Sequence, residues 1–400
     1  MNRTSVLCRE LLCLAWWLLL PAGVVQAGPV QVFLFAGQSN MVGYGRTENE
    51  PSNANGEAGT LRGMVNGSPG IFGFGGTNPL VDSNGDWLVR SDVNVYAYDH
   101  NNGTPITEKG GHTPGFGVDG WNGPEYGFGQ VVGNALAEDV LILKVANGGT
   151  SLGVNWRPPS AVANRGGAVG DMWTTMTTQV DAVLSGLGTE FPEYSGRSFE
   201  VAGFGWHQGW NDGSSVALFN EYEANMVDLI ADVRARYGNN LPVVIANTGM
   251  QNYPSLSIAR PNVMNAQNRI GDPTLHPEFV GNVAVVDTIP LWRDPTQSPR
   301  DQVFHWNQNG VTMYDIGAGM AEAFLSLVPQ LASADFDGDS DVDIADLVRW
   351  QRDSGTAQAL SDWRAGFGTG QAGTVGVAVP EPGPLACVLI ALAAACCVRD

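Results

Sequence analysis

Between Cys13 and Cys387 the chain has no cysteine; the remaining three stand at positions 8, 396 and 397. A body without thiols has no disulfides, no cysteine nucleophile and no thiolate metal site, so core packing must hold it. Positive charge is also scarce. Lys and Arg number 20 against 40 Asp and Glu, a net charge of -20. That balance disfavours nucleic acid and anionic membrane surfaces as partners, while a neutral glycan is not repelled. Long apolar runs are missing too. Leu11–Leu20 and Leu385–Val398 are both short of the roughly 20 residues a spanning helix needs. The first follows Arg3 and Arg9 and precedes the small-residue site Val25-Gln26-Ala27, so residues 1–27 read as a signal peptide and export is expected.

What the chain does contain is core material and loop material. It is 44% hydrophobic with 12 Trp and 15 Phe, and it carries 52 Gly and 23 Pro. Five apolar runs, Val30–Ala36, Val140–Ala146, Phe199–Trp206, Leu241–Ala246 and Val283–Val286, have the character of buried strands. Helical patterns at Tyr126–Leu136, Val216–Tyr237 and Thr312–Leu327 fall between or after them. Alternation of this kind predicts an α/β fold: a parallel sheet covered on both faces, with ligand sites beyond the carboxyl ends of the strands. Glu48–Gly123 breaks the rhythm with Gly, Asn, Asp and Pro, and reads as a long, partly irregular insertion walling the site. Gly73-Phe-Gly-Gly76 lacks dinucleotide-loop spacing and is read as loop.

Ser39 follows the first run in a Gly-Gln-Ser-Asn turn. A free hydroxyl is a weak nucleophile and needs a base. His305, in Arg300-Asp-Gln-Val-Phe-His-Trp-Asn307, is the late histidine in a rich polar context, with Asp301 four residues before it. A carboxylate there would fix the imidazole tautomer. Four blocks occur in order: Gly37-Gln-Ser-Asn-Met41, Lys144-Val-Ala-Asn-Gly-Gly-Thr-Ser-Leu152, Trp206-His-Gln-Gly-Trp-Asn-Asp212, and Asp301 to His305. In this the chain resembles the SGNH-type hydrolases, in the branch of sialate O-acetylesterases and the acetylxylan esterases of carbohydrate esterase family 6. The resemblance implies a three-layer α/β/α, flavodoxin-like domain over residues 28–331. It implies Ser39 as nucleophile and His305 as base. An oxyanion hole would come from the Ser39 N–H, a backbone N–H at Gly149 or Gly148, and the Gln208 side chain.

Two departures bear on the triad acid. Trp210 stands where the third block often has a glutamate, and three residues rather than two separate Asp301 from His305. The acid is therefore Asp301, Asp212, or a backbone carbonyl acting alone. His207 reads as a packed residue beside the site. Gly123-Pro124-Glu125 reads as a helix start. Trp156, Trp210 and Trp306 flank the blocks and are candidates both for the core and for stacking on sugar faces.

The carboxyl-terminal part has its own signals. Asp335, Asp337, Asp339, Asp341, Asp343 and Asp346 form an acidic comb of the oxygen ligands that hard cations take. The segment 332–370 resembles a dockerin-type calcium repeat, implying one Ca²⁺ site and a cohesin-like or cell-surface partner. Residues 371–378 read as a linker. Val379-Pro-Glu-Pro382 with the apolar run after it resembles a PEP-CTERM sorting tail over 379–400, handled by an exosortase at the membrane. The function expected from the whole is a secreted, metal-independent O-acetylesterase acting on a polysaccharide or sialylated glycan. A non-catalytic glycan-binding or scaffold protein and a general carboxylesterase are the competing readings.

Overall fold

The computed structural model describes residues 28–67, 80–101, 104–250, 259–328 and 347–350. The segments read as signal peptide, linker and sorting tail, and the acidic comb, lie outside the described residues.

Seven strands form one sheet: β1 Val30–Gly37, β2 Arg90–Asn101, β3 Thr104–His112, β4 Val140–Asn147, β5 Phe199–His207, β6 Val243–Ala246 and β7 Val283–Val286. Their order across the sheet is β3-β2-β4-β1-β5-β6-β7. Every pairing is parallel except β2 with β3. β1 sits between β4 and β5, and all eight of its residues are buried, as a strand covered on both faces requires.

Helices α1 Pro124–Ala135, α2 Asp171–Ser185, α3 Val216–Tyr237, α4 Ala259–Ile270 and α5 Gly310–Leu327 cover the sheet. On one face Val32, Leu34, Leu143 and Phe204 pack with Met176 of α2, Leu229 of α3 and Val263 of α4. On the other, Phe33 and Phe35 meet Phe128 of α1, and Phe33 also meets Phe324 of α5, all edge to face at 4.7–5.5 Å. Period-two alternation along β1 thus feeds two cores, giving the three layers expected of the sequence.

The five anticipated strands and three anticipated helices are present, with ends differing by a few residues. The stretch 48–123 is a correction. It is no mere insertion: β2 extends the sheet beside β4, and β3 folds back on it as the edge. Polar residues hide β2 in the sequence. Asn94 is buried, yet its amide donates to Tyr194 Oη at 2.8 Å and Glu193 Oε1 at 3.0 Å, which removes the cost of its burial. Helices α2 and α4 were not anticipated either. In α2 the buried Met172, Trp173, Met176, Val180 and Val183 are separated by threonines that blur the helical period.

The carboxyl ends of three strands lie side by side. Gly37 pairs with Ala146 of β4 and with His207 of β5. A Cβ on Gly37 would come within 2.3 Å of the His207 carbonyl oxygen. Only glycine lets the chain leave β1 this close to β5, and the next turn carries Ser39.

Candidate active site

Ser39 opens a single helical turn, Ser39–Val42, directly after β1. Gln38 fastens this turn to the end of β5: its Oε1 accepts from the N–H groups of Gly209 and Asn211, both at 3.2 Å. Lys144 of β4 fastens the other end. Its ammonium donates to the Val42 carbonyl at 2.8 Å and the Phe116 carbonyl at 2.6 Å, and pairs with Glu125 at 2.9 Å. Lys144 is 0% and Glu125 1% exposed, so loss of either would leave an uncompensated buried charge. Glu125 also accepts from Gly123 N–H at the start of α1. The helix start read in the sequence is there, and its carboxylate has a second use that the sequence did not reveal.

The Gly148-Gly149 turn follows β4. A Cβ on Gly148 would lie 3.7 Å from the Cβ of Ser39, so this turn stands over the serine. Gly149 has φ +71, a left-handed conformation that side chains disfavour. Among the described residues, the N–H groups of Ser39 and Gly149 donate to no protein acceptor. Backbone amides left open beside a serine are what an oxyanion needs.

Gln208 is placed differently from the sequence expectation. Its amide has two hydrogens, and three acceptors surround it: Asp212 Oδ2 at 2.6 Å, the Thr150 carbonyl at 3.0 Å and Gln38 Oε1 at 3.3 Å. Both donors are spent inside the protein. Gln208 therefore braces the turns and presents no N–H to an oxyanion in this conformation.

Asp212 is also corrected. It is fully buried and accepts from Leu152 N–H at 2.8 Å, Gly153 N–H at 3.0 Å and Gln208. Burial pushes its carboxyl up to about 6 against the pull of these donors. It anchors the chain running on from Gly149, and no bond joins it to His305 among the described residues.

His305 lies on a loop that Asn40 ties to the serine turn, its amide donating to the Phe304 carbonyl at 3.2 Å. Tyr44 stacks on the imidazole, with ring centroids 3.7 Å apart. Burial pushes His305 down to about 4, so the ring is neutral at ordinary pH. Asp301 is exposed and makes no hydrogen bond or ion pair with His305 among the described residues, which corrects the first-choice acid. The partner of His305 Nδ1 is Gln302 Oε1 at 3.2 Å. The sequence reading passed over Gln302. The signal available was spacing, because two residues lie between 302 and 305.

Immediately after His305 the backbone turns left-handed at three successive non-glycine residues, Trp306, Asn307 and Gln308, with φ between 54 and 56. Each costs about 1–2 kcal/mol. Asn307 offsets part of this: its Oδ1 accepts from Gln302 N–H at 2.9 Å and its Nδ2 donates to the Arg293 carbonyl at 2.9 Å. Strain held this way at a site fixes side-chain direction.

Of the three tryptophans, Trp156 and Trp306 are 0% exposed and present no face to a sugar, a correction for both. Trp156 donates to Thr150 Oγ1 at 2.9 Å, and so supports the oxyanion turn. Trp210 is half-buried at the rim, beside Phe304 and under the Arg260 guanidinium at 4.1 Å. His207 is packed as expected, its Nδ1 against the Ala246 carbonyl at 3.0 Å.

The carboxyl end of the central strand thus places a serine turn, open backbone amides and a neutral histidine on an adjoining loop side by side. The chain belongs to the family described as carbohydrate esterase, sialic acid-specific acetylesterase, whose model matches residues 29–326; it is a carbohydrate esterase. No curated protein matches the chain. It is similar to a solved protein of Arabidopsis thaliana at 18% identity, covering 74% of this chain and 98% of that one with a TM-score of 0.44. It is likewise similar to a carbohydrate acetylesterase of Xanthomonas citri at 15% identity, covering 76% and 58%, TM-score 0.41. A third similar structure is NanS, at 12% identity, 77% and 100% coverage, TM-score 0.43.

Proposed function

We propose that this esterase removes O-acetyl groups from a polysaccharide or sialylated glycan through a serine acyl-enzyme. Ser39 Oγ attacks the acetyl carbonyl while His305 takes its proton. The open N–H groups of Ser39 and Gly149 receive the oxyanion. The protonated His305 returns the proton to the departing sugar oxygen, and water, activated by the same base, releases acetate. The observation that carries this reading is the closure of the Ser39 turn on the His305 loop through Asn40 and Tyr44, under unpaired amides.

The test is acetate release from acetylated xylan and from O-acetylated sialic acid by the full-length protein. Activity that vanishes in Ser39→Ala supports the reading. No turnover on any acetyl ester overturns it and leaves the glycan-binding reading standing. Turnover confined to short acyl esters without sugars points to a general carboxylesterase.

The remaining sequence signals complete the proposal. The chain is exported, and a dockerin-like module uses the carboxylates from Asp335 to Asp346 to hold Ca²⁺ and meet a cohesin-like or cell-surface partner. The tail is a substrate for exosortase. Oxygen donors of that number suit a hard cation, and the esterase chemistry itself uses none. Chelation is therefore expected to change calorimetric Ca²⁺ binding and not acetate release.

A further inference from the structure

Among the described residues His305 has no carboxylate partner, yet its hydrogen-bonding environment is fully directed. Gln302 Oε1 meets His305 Nδ1 at 3.2 Å and accepts from Gln308 Nε2 at 2.6 Å. Gln308 Oε1 in turn accepts from Arg46 Nε at 2.9 Å. Arg46 is 4% exposed, stacks 3.9 Å over Trp121, and pairs with Glu50, which also accepts from Trp121 Nε1 at 2.6 Å. A carboxamide can point either way, but a guanidinium only donates. Arg46 therefore forces Gln308 to turn its oxygen inward and its NH₂ toward Gln302. Gln302 must then present its oxygen to both neighbours. An oxygen facing Nδ1 requires the proton on Nδ1.

We propose that Arg46, Gln308 and Gln302 together stand in for the triad carboxylate, fixing the proton of His305 on Nδ1 and leaving Nε2 as the base. The inference rests on the reading of His305 as base. All three are positioning residues. Protons are exchanged only at His305 Nε2, with Ser39 Oγ, the departing sugar oxygen and water; the Nδ1–H stays on nitrogen, donating to the Gln302 oxygen, and no proton travels down the amides. Compared with a carboxylate, this arrangement sets the tautomer without adding a negative charge that would stabilise the imidazolium. The other groups facing His305 fit that economy. Tyr44 covers its ring from the serine turn, Phe304 and Trp306 flank it in the chain, and Trp210 packs on Phe304 with Arg260 beyond. Asp301 points to solvent. Among the described residues no carboxylate is hydrogen-bonded or ion-paired to His305.

Two substitutions of one atom each separate this from a merely structural role. Gln302→Glu keeps acceptors toward both neighbours and adds charge. Gln308→Glu keeps the Arg46 contact as an ion pair, which holds the new carboxylate ionised, but removes the donor to Gln302. Gln302 then turns its NH₂ outward in both directions and His305 Nδ1 becomes the acceptor. The measurement is ¹⁵N NMR of histidine-labelled full-length protein, with His305 assigned by His305→Asn, alongside kcat, KM and pH profiles on an acetyl ester. Wild type is expected to show Nδ1–H. Gln302→Glu should retain it, raise the titration midpoint of His305 by at least about one pH unit, and move the acid limb of kcat/KM by the same amount. Gln308→Glu should switch His305 to Nε2–H and lower kcat by roughly 10²-fold or more with little change in KM. A wild-type ring protonated on Nε2 overturns the proposal, as does an unmoved midpoint in Gln302→Glu or an unchanged tautomer in Gln308→Glu. Should Gln308→Glu not fold, the wild-type tautomer and the Gln302→Glu midpoint decide. The NMR readouts need no turnover, so an inactive protein with the expected tautomers would refute the esterase reading and not this one.

Discussion

The two walls of the site solve the same problem, holding a polar group still in a buried place, by opposite means. The wall proposed to receive the oxyanion is organised around a buried anion. Asp212 gathers two backbone amides and Gln208, and everything from Thr150 to Gly153 hangs from it. The histidine wall is organised around a buried cation. Arg46 acts through two neutral amides, and the backbone beyond is forced left-handed. The contrast follows from what each wall must present. An oxyanion wall offers N–H groups outward, so its scaffold must accept, and a carboxylate accepts most strongly. A base must offer a lone pair outward, so its other nitrogen must donate inward, and a chain of amides ending in a donor-only group sets that direction.

If the comparison is right, the largest effect comes from turning the acceptor of the first wall into a partial donor. Asp212→Asn places an NH₂ among three donors, leaving at least one unmatched at about 1–3 kcal/mol. It also withdraws charge from the other bonds. We expect a loss of about 3 kcal/mol in urea unfolding and a fall of 10²–10³-fold in kcat. His305 should keep its titration midpoint, since the second wall is untouched; a moved midpoint would merge the two walls into one network.

Protons provide the next test. His112, His207 and His305 are each pushed down to about 4 by burial. In each the folded state binds fewer protons than the unfolded chain between pH 6.5 and about 4. Their contribution is complete above pH 6.5 and is lost as pH falls through that window, up to about 3 kcal/mol for each ring. Asp212, raised to about 6, works the other way. Its folded form takes up protons more readily, so its contribution is greatest at low pH and declines as pH rises toward 6. Three rings against one carboxyl predict a net fall in urea midpoint from pH 7 to pH 4.5. His305→Gln should reduce the slope by about one proton, and Asp212→Asn should make it steeper. Activity should run on well below pH 6.5, because His305 is still a neutral base there.

A smaller effect separates geometry from charge. Gly149→Ala meets no atom within 4 Å of its new Cβ but must hold φ +71. The expected cost is about 1–2 kcal/mol of stability, with kcat falling more than KM changes, as the N–H turns away from the oxyanion. Equal stability and kcat would mean that the Ser39 N–H suffices.

What could be read in the sequence follows the same physics. The strands that carry the site are continuous apolar runs, because a strand buried on both faces has no other option, and Ser39 follows the first of them. The polar strand β2 was illegible because Tyr194 and Glu193, a hundred residues away, satisfy Asn94. The triad acid was sought as an acid. Locally only the spacing to His305 distinguishes Gln302 from Asp301; the left-handed turn and the distant Arg46 show which side chain the ring meets. The direction of the Gln208 amide was illegible too, since its acceptors come from three separate segments.

The mildest prediction concerns the rim, where the walls meet. Trp210 belongs to the oxyanion side and Phe304 to the histidine side, and their rings lie 5.9 Å apart. If the rim carries sugar contact, Trp210→Ala should raise KM on an acetylated oligosaccharide several-fold while leaving kcat and KM on a small acetyl ester nearly unchanged. An aromatic face in contact with the remote part of a substrate lends binding that is felt equally before and during reaction. A fall in kcat on both substrates would instead show that Trp210 steadies Phe304, and through its carbonyl the bond to Asn40 that keeps the two walls together.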